Sequence, residues 1–440
     1  MKKILILGAG LVSEPGVKYL LQDSDLYITV AALNVERAEE IIANSSNGIA
    51  VFLDAENEEQ LKDLISHNDI IVSLLPWTYH PTVAKLCLDH SKHMLTASYV
   101  SEAMKKLESE ITRKGLLFLN ELGLDPGIDH MSAMKIIDEV HKMDGKVLHF
   151  YSYCGGLPAP KDNNNPFGYK FSWSPRGVIL ASRNDARFLE DGEEVYIQGK
   201  DLFLNSEIEE IDGLGRFEVY PNRNSIPYKE LYGLKDALTV KRGTYRNLGW
   251  CDTLKRIVDL GLVDDTPKEN LSGKTFKDII AGLLNVSDSS DIRKNLAVKL
   301  NLPQDSEILN RLEWLGLFSD QKVAEKNNYL DILCEQMQNM LSYKTGEVDM
   351  VLLRHTFIIG EQNEEIYKIT STLLDYGVPN GESAMARTVS LPLAIGVKLI
   401  AEEKIKSSGL LIPGTPDIYI PILEELGKMG IKISEEKVKI

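Results

Sequence analysis

The sequence predicts an α/β chain with an N-terminal doubly wound parallel sheet, a second α+β domain with a mixed sheet, and a small helical subdomain. Three observations predict it. Over the first third, short β-rich runs alternate with helical patterns, as a parallel sheet with crossover helices requires. From about Lys146 the texture changes to β-rich pieces broken by Gly, Pro and Asn. From about Trp250 to Tyr343 apolar residues recur at helical spacing.

The strands expected in the first domain are residues 4–7, 27–31, 50–53, 70–74, 93–96 and 116–119. Between them, residues 15–21, 36–43, 58–66, 82–89 and 101–114 space apolar side chains at three and four, as amphipathic crossover helices do. The helical subdomain is expected at 250–343, with helices at 253–261, 276–284, 292–300, 308–315 and 329–341. Residues 350–358 and 365–373, joined by a polar turn at 360–364, read as a hairpin of the second domain, and a long helix follows at 384–403. The expected domains are therefore 1–124, then 125–249 with 344–383, then 250–343. Residues 384–440 are expected to pack back on the first domain.

With 440 residues, 43% of them hydrophobic and 26% charged, the chain has globular composition and enough length for two or three cores, which excludes a disordered tail or a fibre. Forty-nine basic against 65 acidic residues give a net charge of −16, a field that repels polyanions, so nucleic acid is not an expected partner. Cys87, Cys154, Cys251 and Cys334 lie far apart, which suggests neither a disulfide framework nor a zinc site, and the chain reads as cytoplasmic. The apolar stretch 4–12 after two lysines looks like the front of a signal peptide, but it holds two glycines and no cleavage site follows. No uninterrupted apolar run approaches the ~20 residues of a membrane helix, so no membrane is expected.

Gly8-Ala9-Gly10-Leu11-Val12-Ser13 follows the first strand directly and opens the first helix. That is the context in which a Gly-rich turn seats the pyrophosphate of a dinucleotide on a helix N-terminus, and it makes the first domain a Rossmann dinucleotide-binding domain. Gly8 permits the tight turn and Gly10 lets backbone approach phosphate; Ser13 replaces the usual third glycine and is expected to loosen the packing slightly. After the second strand such proteins carry Asp or Glu for the ribose, or Arg for a 2′-phosphate. Here stand Leu33 and Asn34, with Arg37 one turn on, where it either reaches a phosphate or is simply a solvated side chain, so NAD and NADP both stay open. Leu75, Trp77, Ala97, Ser98, Tyr99 and the segment from Glu121 to His130 end further strands on the same edge. None of the eight histidines pairs with cysteines or carboxylates at ligand spacing, so no metal is expected; His130 is a reserve candidate for moving protons.

With these segments in hand, the chain resembles the saccharopine dehydrogenases of the L-glutamate-forming type, which include stand-alone fungal enzymes and one half of the bifunctional aminoadipic semialdehyde synthases. The resemblance rests on Leu7 to Gly10, Ser13 to Pro15, Ser98-Tyr99, Gly123 to Gly127, Tyr153 to Pro160, Lys170 to Ser174, Tyr220 to Arg223, Arg242 to Arg246 and Ala384 to Ala386, and so covers essentially the whole chain. Glu313 to Gly316 looks more like the bifunctional half. It implies an enzyme that oxidises saccharopine with NAD or NADP to L-glutamate and 2-aminoadipate 6-semialdehyde, in lysine metabolism, with room for a homodimer. For the cofactor it implies Gly8, Gly10, Leu11, Val12, Ser13, Leu33, Asn34, Asp54, Leu75, Ala97, Ser98, Leu124 and Ser174. In that family the NADP form is associated with Arg where this chain has Leu33, and the NAD form with an acidic residue nearby; this sequence departs from both.

Saccharopine carries three carboxylates on a secondary amine, so its site needs cations and bidentate donors. Arg223 and Arg246 fit that need and match family contacts, with Thr244 beside them and Ser98, Tyr99 and Asp125 completing the substrate set. Hydride transfer from the carbon next to nitrogen requires a base for the nitrogen and later an acid. Asp125, Tyr99 and Cys154 resemble the family's catalytic groups. The bland alternatives are a turn-capping Asp125 and a Cys154 that is a small buried hydrophobe. Two other readings compete: an opine-type or carboxynorspermidine-type dehydrogenase acting on another secondary amine, and a dinucleotide sensor with vestigial catalysis.

Overall fold

The computed structural model describes residues 1–269, 271–286, 291–360 and 365–440. They divide into two compact units, residues 1–146 with 359–440, and residues 147–358. Residues 125–146 and 359–383, expected with the second domain, fall in the first by this division, although the strand order keeps 366–376 in one sheet with 349–360, as the expected hairpin requires.

In the first unit the strands are β1 (Lys2–Leu7), β2 (Leu26–Ala32), β3 (Gly48–Phe52), β4 (Ile70–Ser73), β5 (His93–Thr96) and β6 (Leu117–Leu119). The near-continuous apolar runs of β1, β2 and β4 are what strands covered on both faces require. Ile4, Leu5, Leu7, Ile28, Val30, Phe118 and Leu119 are all fully or almost fully buried. Three of the helices between them start on side-chain caps, Asn34 accepting from the Arg37 amide, Asn57 from Gln60 and Ser101 from Met104. The helix expected at 101–114 is broken into Glu102–Lys105 and Glu108–Arg113.

In the second unit, β7 (Lys146–Pro158), β8 (Ala186–Glu190), β9 (Glu193–Ile197), β10 (Glu207–Ile211), β11 (Gly215–Pro221), β12 (Thr239–Asn247) and β13 (Asp349–Gly360) follow. β12 runs parallel to β7 and antiparallel to β11, so this sheet is mixed. Helices Trp250–Asp259, Phe276–Leu284, Ile292–Leu300, Glu307–Trp314 and Tyr329–Met340 lie close to the expected positions. Their apolar faces join the sheet in one core centred on Tyr169, Tyr245, Trp250, Leu254, Leu309 and Leu330. Of the expected turn at 360–364, residues 361–364 lie outside the described residues.

The chain then returns to the first unit with β14 (Ile366–Tyr376), helix Ala384–Ala401, β15 (Gly409–Leu411), helix Pro416–Lys428 and β16 (Ile433–Lys439). β15 pairs in parallel with β6 and extends the first sheet to seven strands in the order β15-β6-β5-β4-β1-β2-β3. Helix Ala384–Ala401 is long and apolar enough to cross a membrane by composition, yet its 18 residues are 78% buried inside the unit, so the apolarity serves the core.

This helix corrects the expectation about Ser13. Ser13 is buried and its hydroxyl donates to the Gly10 carbonyl at 2.9 Å, and the close approach is made three residues later. A Cβ on Gly16 would stand 2.7 Å from the Ser390 carbonyl oxygen, while the Gly16 amide donates to Ser390 Oγ at 2.9 Å. Gly16→Val is therefore expected to destabilise the protein by about 1–3 kcal/mol, the usual cost of overpacking. Chemical denaturation measures this, and a variant as stable as the parent would show that the two helices can part freely.

Candidate active site

Register aligns the carboxyl ends of the first three strands. Leu7 is paired with Ala31 and Ala32 with Phe52, so Gly8, Leu33-Asn34 and Asp54 emerge side by side at the edge of the sheet. β1 and β4 are neighbours where the strand order reverses, the point at which open α/β sheets bind ligands. Gly8 has φ +109°, and a Cβ there would meet the Leu74 carbonyl at 3.1 Å; Gly10 is exposed with open space where its Cβ would stand. Backbone can therefore approach a phosphate here, and the turn fits a dinucleotide. Leu11 and Leu33 are exposed, Val12, Leu75 and Ala97 half-buried, and Leu124 buried. Ser174 belongs to the second unit, where its hydroxyl caps helix Pro175–Ala181 by accepting from the Gly177 amide.

On the same edge, Tyr99 Oη donates to Asp125 Oδ1 at 2.9 Å, and both side chains are half-buried. The loop that carries Asp125 is folded tightly on itself. The Gly123 amide donates to the Pro126 carbonyl and the Ile128 amide to the Gly123 carbonyl, both at 2.8 Å. Gly127, at φ +148°, leaves no room for a side chain, because a Cβ would fall 2.0 Å from the Gly123 oxygen. The Asp125–Pro126 peptide bond is cis. Just behind, His130 Nε2 lies 2.8 Å from Glu121 Oε2 in a buried pair, and Glu121 Oε1 accepts from the Val100 amide at 2.9 Å. His130 thus ties the Asp125 loop to the segment that follows Tyr99.

His80 holds the neighbouring segment. Its Nδ1 lies 2.9 Å from Ser73 Oγ at the end of β4, and its Nε2 lies 2.8 Å from Ser98 Oγ and 3.3 Å from Thr96 Oγ1. Burial pushes its pKa down to about 4, so the ring is neutral at pH 7. The unfolded chain takes up a proton near pH 6.5 that the folded one refuses until about 4. The stability this residue contributes is complete above pH 6.5 and lost as pH falls toward 4, about 3 kcal/mol in all. In melting curves between pH 7 and 4, His80→Asn is expected to show a shallower decline than the parent; equal slopes would show that His80 titrates normally.

In the second unit, Arg246 is 4% exposed. Its guanidinium carbon stands 4.9 Å from the Tyr169 ring, 5.4 Å from Trp250 and 5.9 Å from Tyr220. Nη1 donates to the Tyr245 carbonyl at 2.8 Å, while Nε, like Trp250 Nε1, is buried without a hydrogen-bond partner. Among the described residues no carboxylate pairs with it. Burial raises the pKa of the Tyr169 and Tyr220 phenols and of the Cys251 thiol, so none of these supplies a counter-charge. A buried cation of this kind is built to receive an anion. Thr244 points to the same face of β12, its hydroxyl accepting from Asn222 Nδ2 at 2.8 Å, and its register partner on β7 is Cys154, also buried. Arg223 is exposed just after β11 at φ +52°. The aromatic box was not foreseen: Tyr169, Tyr220 and the stretch from Arg246 to Trp250 come from separate segments, and no local spacing signals that the three meet.

Among the described residues there is no group of three or more His, Cys, Asp or Glu placed to hold a metal ion. A Gly-rich turn at the switch point of a doubly wound sheet, with a hydroxyl–carboxylate pair on the same edge, defines a dinucleotide-binding protein with the equipment of an oxidoreductase. Comparison with known proteins narrows the class. Residues 4–119 match the family model of the saccharopine dehydrogenase NADP binding domain, and residues 123–431 that of the saccharopine dehydrogenase C-terminal domain. The chain belongs to the saccharopine dehydrogenase family. It is 41% identical over 445 residues, covering 99% of both chains, to the saccharopine dehydrogenase [NADP(+), L-glutamate-forming] of Schizosaccharomyces pombe. It is 39% identical over 439 residues to the mitochondrial alpha-aminoadipic semialdehyde synthase of Bos taurus, matching 98% of this chain and 47% of that one. The apo structure of the Saccharomyces cerevisiae L-glutamate-forming enzyme superposes with a TM-score of 0.89 at 39% identity over the whole of both chains.

Proposed function

We propose that the chain is an oxidoreductase acting on a CH–NH donor, converting saccharopine reversibly to L-glutamate and 2-aminoadipate 6-semialdehyde in lysine metabolism. Relatives of that name align over their whole length. The observation that carries the reading to the residues is Arg246, a buried guanidinium with no carboxylate partner among the described residues, ready for a substrate carboxylate. Arg223 and Thr244 supply further donors.

When bound, the nicotinamide dinucleotide accepts a hydride from the carbon next to the substrate nitrogen. Gly8 and Gly10 would hold its pyrophosphate, with Leu11, Val12, Ser13, Leu33, Asn34, Asp54, Leu75, Ala97, Ser98 and Leu124 as the further residues proposed around it. Asp125 takes the proton of the substrate nitrogen, and the Tyr99 hydroxyl, donating to Oδ1, fixes the carboxylate in one orientation. Water then adds to the imine carbon, and Asp125 returns the proton to nitrogen as the carbinolamine collapses to aldehyde and amine. Cys154, buried on β7 beside Thr244, is given no covalent role, since neither step needs an adduct to the enzyme. Cys87, Cys251 and Cys334, all buried free thiols, support a reducing, cytoplasmic setting.

The test is absorbance at the reduced-nicotinamide band with saccharopine and NAD or NADP in parallel. Reduction of either is expected. No signal with either, from a protein that binds the cofactor, would leave a sensor or an enzyme for another amine.

A further inference from the structure

We infer that the end of β2 rejects a 2′-phosphate, so that this chain prefers NAD, although the relatives it resembles are named for NADP. The inference rests on the proposed dinucleotide-dependent reaction and concerns the adenosine end of the same site. A 2′-phosphate brings close to two negative charges at pH 7, and proteins that accept it place a cation at the end of the second strand. Here Ala32 is followed by the exposed Leu33 and by Asn34, and Arg37 is the sole cationic residue from Leu26 to Ile42.

Arg37 is already committed. Its Nη2 is paired with Glu14, the first residue of the helix that opens on the Gly-rich turn, and its Nη1 donates to Glu40 at 3.1 Å. Glu14 also holds Lys18, at 2.6 Å. Partial burial works to raise the Glu14 carboxyl, but Lys18 and Arg37 outweigh it and keep it below its ordinary value, so it stays charged. If Arg37 swung to a phosphate, Glu14 and Glu40 would be left uncompensated beside a dianion. Asp54, exposed on the neighbouring strand end, adds a further negative charge. Asn34 uses Oδ1 to accept from the Arg37 amide at 3.0 Å, which leaves its Nδ2 donors for a ribose hydroxyl oxygen. That group suits an uncharged ribose and balances no phosphate.

Titration of the full chain with NADH and NADPH, followed by nicotinamide fluorescence, tests this without turnover. NADPH is expected to bind about tenfold or more weakly, as like charges in one site require. Leu33→Arg, at an exposed position, is expected to narrow that gap by about tenfold through a new phosphate contact. NADPH binding as tightly as NADH, or more tightly, overturns the inference and leaves the proposed reaction standing. Tighter NADH binding with no reduction of NAD by saccharopine does the opposite, keeping the cofactor preference and removing the reaction.

Discussion

Asp125→Ala is expected to lower turnover with saccharopine by about 10²–10⁴-fold, the contribution of a positioned general acid–base group. The expectation comes from how much of the first unit is spent on this one carboxylate. Its loop closes through the Gly123 and Ile128 amides, Gly127 occupies a place that no side chain could share, and Tyr99 holds Oδ1 at 2.9 Å. A turn-capping aspartate would need none of the last. Asp125→Asn keeps the shape and can still accept from Tyr99, but it does not take a proton, so it should lose nearly as much rate while melting close to the parent. Tyr99→Phe leaves the carboxylate in place and should cost less. Steady-state kinetics on the three variants, with melting curves as a check on folding, separate the cases. A kcat for Asp125→Asn near that of the parent would move the proton transfer to another group.

The sheet that carries this loop was legible because parallel strands buried on both faces announce themselves as short apolar runs, and Ile4, Leu5 and Leu7, or Ile70 to Val72, could hardly be anything else. β15 escaped notice for the opposite reason. Three residues, Gly409 to Leu411, have no periodicity, and only the open edge of β6 makes them a strand. The Gly-rich turn was readable as a cradle, but not the identity of the close-packing glycine. Gly16 meets Ser390 across 374 residues, and nothing near Gly16 in sequence reports that partner. His80 and Ser98 illustrate the same limit at shorter range, since a neutral histidine linking two strand ends looks, in sequence, like any histidine on an apolar helix. Arg223 and Arg246 could be singled out by the carboxylates of the proposed substrate, and burial then distinguishes them, the first exposed and the second enclosed in aromatic rings.

That enclosure makes Arg246→Met the second large effect, because it separates binding from stability in opposite directions. An unpaired buried guanidinium is costly to fold around; contact with Tyr169, Trp250 and Tyr220 offsets part of the cost, at about 2 kcal/mol for a desolvated cation–π contact, and the Tyr245 carbonyl offsets some more. Methionine fills a similar volume among the same rings without a charge to desolvate. The variant should therefore unfold at the same temperature as the parent or higher. Saccharopine should lose a partner for one carboxylate in a desolvated setting, worth about 2–5 kcal/mol, which lowers kcat/KM by about 30-fold or more and appears chiefly in KM. Dinucleotide binding, measured by nicotinamide fluorescence, should not change. If Arg246 served only the architecture of its core, methionine would instead lower the melting temperature and leave KM alone. That pairing of results would detach the buried cation from the substrate.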